Sequence, residues 1–110
     1  MNLDSLVNSI AEIELREQLS HWVNEWKKDD KDVEFLSYML GKWHGNVWFK
    51  DREDSDAFYK HLQDFRKDAI AGIGGLTLNE RLYWFGLFEA WDVSDNANQA
   101  LIRKKLHANA

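Results

Sequence analysis

The sequence predicts an all-α protein, a compact bundle of about five helices around a central aromatic helix. Three observations lead there. Pro is absent from all 110 residues, so nothing breaks a helix from inside. Apolar residues recur at spacings of three and four, as helices with one buried face require. Thr77 and Glu80 form T-x-x-E, a capping box that satisfies two orphan backbone donors at a helix start. The alternative is an α+β chain with two short strands near 46–50 and 75–79.

The first segment, about 3–28, carries Leu3, Leu6, Val7, Ile10 and Ile13, then Leu15, Leu19, Trp22, Val23 and Trp26. The phase slips between Ile13 and Leu15, which predicts a kink or two helices. Trp22 and Trp26 are one turn apart and are expected to share the core face. The run DDKD (29–32) is a turn, with Asp32 as N-cap of a second helix, about 33–43, that Gly41 and Gly45 leave ragged. NVWFK (46–50) reads as a short strand or an apolar loop. Asp54 or Ser55 caps a third helix, about 56–71, and the first Gly of GIGG (72–75) is expected to stop it in a left-handed conformation. The capping box opens a fourth helix, about 78–92. It contains RLYWFGLFEAWD (81–92), apolar nearly all round, as a helix wrapped by neighbours should be. Glu89 on it is either paired or peripheral. Ser94 or Asp95 caps the last helix, about 96–107, with Ala97, Ala100, Leu101 and Leu106 as its apolar positions.

The totals fit one domain, 1–110, with one core. Hydrophobic residues make 45%, charged residues 30% and aromatics 14%, the last including six Trp; this heavy ring content argues against disorder. There is no Cys, hence no disulfide or thiolate chemistry. The start MNLDSLVNSI lacks the pattern of a secretory signal, and LYWFGLF is too short to span a bilayer, so the expected location is the cytoplasm. A net charge of −5 disfavours nucleic acid, which needs clustered Lys and Arg.

No motif points to catalysis. Glu17, His21 and Glu25 are one helical turn apart, and His61 lies three before Asp64, yet no second Glu-x-x-His completes a carboxylate metal site and H-E-x-x-H is absent. GIGGLT lacks the Lys of a P-loop. No Ser lies at a suggestive spacing from a His. The chain is therefore read as a non-enzyme without metal or cofactor.

The two acidic runs carry the functional expectation. DDKD has a net charge of −2, and DREDSD (51–56) has four acids against one Arg. Helix dipoles account for Asp32, Asp54 and Asp56 but not for whole clusters. The profile is that of immunity-type and antitoxin-like inhibitors, an analogy of type without a shared motif. A basic protein is the expected partner, steered by Asp29, Asp30, Asp51, Glu53 and Asp54. Trp48, Tyr83 and Trp91 are the expected aromatic anchors. The alternative is a subunit of a homodimer or larger assembly that buries its spare rings. A third reading places a small molecule among Trp22, Trp26, Trp43 and Trp84, with Glu89 or His61 as polar group.

Overall fold

The first segment does divide into two helices, but the break falls at residues 9–12, before Ile13 and not between Ile13 and Leu15. In the computed structural model, which describes residues 1–108, the first segment is two helices, α1 (Leu3–Asn8) and α2 (Ile13–Lys28). Asn2 caps α1 by accepting from the Ser5 N–H at 2.9 Å. The buried stripe of α2 is Leu19, Val23 and Trp26. Trp22 stands about 60° off that stripe and is 48% exposed, so the two indoles do not share the core.

Asp32 caps α3 (Val33–Asn46) as the sequence predicts, accepting from the Phe35 N–H at 3.0 Å. The helix runs through both glycines. Gly41 is a point of close approach: the Arg66 guanidinium occupies the space a Cβ would take. From there Arg66 donates to Ser37 Oγ at 3.0 Å and to the Ser37 carbonyl at 2.7 Å, tying α3 to the next rod.

That rod, α4 (Arg52–Phe65), starts four residues early because Asp51 is its cap, accepting from the Glu53 N–H at 2.9 Å. A π-helical turn, Arg66–Ala71, extends it. Gly72 then ends it at φ −90°, outside the left-handed region, and a 3-10 turn, Ile73–Gly75, follows.

Both bonds of the Thr77–Glu80 capping box form, at 2.9 and 3.1 Å. The predicted helix 78–92 is two helices, α5 (Leu78–Phe85) and α6 (Phe88–Asp92). Gly86 divides them at φ +65°, a backbone region that L side chains enter only with strain. Leu87 N–H bonds the Leu82 carbonyl at 2.9 Å and Gly86 N–H bonds that of Tyr83 at 3.3 Å. With Leu82 and Leu87 both buried, this is a Schellman stop. Faces counted through Gly86 therefore shift, leaving Phe88 and Glu89 exposed.

Asp95 caps α7 (Asn96–Lys105), accepting from the Asn98 N–H at 2.8 Å. Its buried positions are Ile102 and Lys105, followed by Leu106, while Leu101 is exposed. No strand occurs among the described residues, so 46–50 and 75–79 do not pair.

The seven α-helices of the described residues enclose one core. α1 packs against α2, α4 and α5 and buries Leu3, Leu6 and Val7. Trp26 and Phe65 both meet Phe85, at ring separations of 5.9 and 5.6 Å. Trp43 meets Phe58 edge-on at 5.6 Å, a favoured arrangement for ring quadrupoles.

A Cβ at residue 86 would also collide with the Asp4 carboxylate and the Lys27 ammonium, which pair over the glycine at 2.6 Å. Gly86→Ala is accordingly expected to cost about 2 kcal/mol, read as a lower urea midpoint at unchanged slope. A loss within 0.5 kcal/mol would contradict the Schellman stop.

Candidate functional site

Two indole donors set the register of the α2–α3 hairpin. Trp26 Nε1 donates to the Asp32 carbonyl at 2.9 Å, and Trp43 Nε1 donates to Gln18 Oε1 at 3.2 Å. The helices thus run antiparallel, with DDKD at their turn. At the other end, the Lys50 N–H donates to the Glu12 carboxylate at 3.2 Å, just before α2 begins. The two acidic turns are therefore separated by the length of α2, whose 16 residues run about 24 Å. They do not form one surface within a chain.

The DDKD turn is largely occupied by the chain's own C-terminal helix. Lys105, its side chain only 3% exposed, donates to the Trp26 and Lys31 carbonyls and to Asp29 Oδ1 at 3.1 Å. Its ammonium also lies 4.1 Å from the centre of the Trp26 ring, a cation–π contact strengthened by desolvation. Burial pushes the Lys105 pKa below the ordinary lysine range, and Asp29 holds it part of the way back. His107 Nε2 is 3.0 Å from Asp32 Oδ2. That bond and the Phe35 N–H keep the Asp32 carboxyl below its usual range. Arg81 Nη1 closes the arrangement, donating to the carbonyls of Leu106 at 3.0 Å and His107 at 2.6 Å. Of the two acids expected to steer a partner from here, Asp29 is engaged inside the fold. Asp30 projects outward, with Lys31 3.9 Å away.

The second turn is different. After α3 the backbone is extended at Val47, so successive side chains alternate. Val47 and Phe49 turn inward and are half-buried, and Trp48 turns outward, 87% exposed. Phe49 is fixed among Trp43, His44 and Phe58 at ring separations of 5.7–6.2 Å. Next come Asp51, Glu53, Asp54 and Asp56 at the start of α4, where the helix dipole favours acids. Only Arg52 faces Asp56, at 3.9 Å and fully in solvent. The structure therefore brings Trp48, Asp51, Glu53 and Asp54 together on one short segment beside a cleft of about 370 Å³. A solvent-facing ring near the carboxylates of Glu53 and Asp54, with Asp51 held as the helix cap, can anchor and orient a cationic surface.

Tyr83 and Trp91 stand apart from that corner. Tyr83 is exposed on α5, and its carbonyl accepts from Asn2 Nδ2 at 3.1 Å. Trp91 is half-buried under the Arg103 guanidinium, 5.3 Å from the ring centre.

Two features escape a reading by spacing. His44 packs against Phe49, Phe58 and Tyr59, and its Nε2 lies 3.1 Å from Ser55 Oγ and 3.3 Å from the Ser55 carbonyl. The contact crosses eleven residues and holds the first turn of α4 to the last of α3. The second is an open apolar groove of about 470 Å³ between α2 and α3, lined by Trp22, Phe35, Tyr38, Met39, Lys42 and Trp43. Of the four Trp expected to frame a small-molecule pocket, only Trp22 and Trp43 line it; Trp26 is sealed in the core. Phe35, Tyr38 and Met39, three and four apart on a face of α3 other than that of Leu36 and Leu40, were the available signal.

Among the described residues no three His, Asp or Glu are placed to hold a metal, and no helix is long and apolar enough to cross a membrane. Comparison with protein-family models, with curated proteins and with solved structures gives no match to this chain.

Lys105→Met keeps the stem but leaves Asp29 and two carbonyls without their donor. It is expected to cost about 2–3 kcal/mol in a denaturant titration, toward the lower side for a pair whose acid is partly solvated; an unchanged midpoint would contradict the assignment. Asp32 has a lowered folded pKa, so its charge stabilises the fold at neutral pH and that contribution is lost as pH falls through the folded value. Asn retains the cap. The wild-type advantage over Asp32→Asn should therefore hold at about pH 5 and shrink below about pH 4. An advantage that is flat down to pH 2 would overturn it.

Proposed function

We propose that this chain is a non-catalytic binding domain of the inhibitor or immunity type, which seats its Trp48 corner on a basic surface of a partner protein. The observation that carries the reading is Trp48, exposed beside Asp51, Glu53 and Asp54. A solvated indole contributes little to the fold, whereas a desolvated one at an interface contributes a large rigid area with few torsions to freeze. The neighbouring carboxylates steer the encounter and disfavour acidic competitors. The net charge of −5 acts in the same direction at longer range.

The test separates binding from folding. Immobilised wild-type protein is expected to retain a basic protein from lysate of the native host at low salt and to release it at high salt. Trp48→Ala should weaken that retention by at least about 2 kcal/mol, roughly thirtyfold, while thermal stability stays within about 0.5 kcal/mol. Reversing Glu53 and Asp54 to Lys, with the Asp51 cap kept, should abolish it. Undiminished retention by Trp48→Ala would remove the corner as the site.

A further inference from the structure

Lys105 shows what the α2–α3 turn can hold. An ammonium group has three protons to donate, and three acceptors surround this one: the carbonyls of Trp26 and Lys31 and the Asp29 carboxylate. The Trp26 ring, 4.1 Å from the nitrogen, makes the fourth wall. A guanidinium is planar and spreads its donors in a fixed fork, so it does not reproduce that match. Every wall of the cage comes from residues 26–31, and local bonds hold that segment in shape without α7. Trp26 Nε1 donates to the Asp32 carbonyl at 2.9 Å, and Asp29 Oδ1 accepts from the Lys31 N–H at 2.9 Å. Only the occupant arrives from elsewhere in the chain.

That occupant is docked mainly by polar ties. Among the described residues beyond Gly86, the buried apolar side chains are Leu87, Ile102 and Leu106, while Ala97, Ala100 and Leu101 face solvent. The remaining attachments are Lys105 in its cage, His107 against Asp32, and Arg81 on the carbonyls of Leu106 and His107. On opening, such bonds exchange for bonds to water and lose little net energy each. Elements with few buried apolar contacts are the ones that open locally. Burial also lowers the Lys105 pKa, so desolvation works against the docked ammonium. A cleft of about 420 Å³ leads to the cage from solvent, with Asp30, Lys31, Asp32 and Phe35 on one side and Lys104 and His107 on the other.

We propose that this turn is a binding site for a lysine side chain of another protein, kept shut in the resting molecule by Lys105 as an internal ligand. Tethering gives Lys105 a high effective concentration, so the docked form presents nothing to a partner. When the end of α7 lifts, the same three acceptors and the same ring receive an incoming ammonium. The apparent affinity is reduced by the fraction of molecules that are open. The site is additional to the Trp48 corner and does not rest on it.

The test is an amide NMR titration with an oligolysine peptide on wild type and two variants. Lys105→Ala empties the cage, and Arg81→Gln loosens α7 while leaving the cage intact. Wild type should change little at 29–32, because its cage is filled. Lys105→Ala should show saturable shifts at the Trp26 indole, Asp29 and Lys31, with an affinity at least about tenfold above that of wild type. Arg81→Gln should speed amide exchange over 96–106 relative to α3 and bring the same shifts part of the way. Oligoarginine should bind the emptied cage at least about tenfold more weakly than oligolysine, and fully acetylated oligolysine should not bind it. Silence at Trp26 and 29–32 in both variants overturns the proposal, as does equal binding of oligoarginine. Wild-type shifts as strong as those of Lys105→Ala would remove Lys105 as the closure. Shifts at 48–54 report on the Trp48 corner in the same spectra, so the two readings fail separately.

Discussion

Lys105 brings an ammonium group into the interior, and the acceptors it finds there decide how the ends of this small fold are held. Moving such a charge out of water is costly unless several oxygens receive its protons. Two carbonyls at the α2–α3 turn and the Asp29 carboxylate do so, and the Trp26 ring lies against the same group. Because those carbonyls belong to Trp26 and Lys31, the last helix and the α2–α3 hairpin are ordered together. Arg81 adds the fourth party, binding the backbone at Leu106 and His107 from α5.

That knot divides the acidic residues into two kinds. In DDKD, Asp29 answers the Lys105 ammonium of the same chain, and Asp32 bonds the His107 ring nitrogen. In DREDSD the carboxylates beyond the cap face water, and the indole ahead of them is exposed because its neighbours Val47 and Phe49 are drawn inward. Charge that is spent internally steers nothing outside, so the proposed recognition surface reduces to the Trp48 corner.

The fold class was legible because its signals are local. Caps at Asp32, Thr77 and Asp95 depend on a few neighbouring residues, and each is among those the sequence offers; the phase slip after Ile13 signals two helices, although the break itself falls at residues 9–12. The errors have physical causes too. Gly86 sits within an unbroken apolar pattern, and only its φ of +65° under the Asp4–Lys27 pair shows why the helix stops there. Asp51 displaced Asp54 and Ser55 as a cap because three candidates within five residues compete and composition does not rank them. The candidate site was legible only in part. Trp48 and its acids could be named from sequence, but the loss of Asp29 to Lys105 spans 76 residues and leaves no mark in any window. Likewise the alternation at 47–49 looks like a strand, and tertiary packing of Phe49 uses it without one.

The most direct test of this division of charge is a residue-resolved amide NMR titration with a short oligolysine peptide. Shifts are expected to concentrate at Trp48, Asp51, Glu53 and Asp54, with the amides of 29–32 little changed. Shifts centred on 29–32 would contradict it, because they would mean that Lys105 and His107 leave that turn's charge free to act on its surroundings.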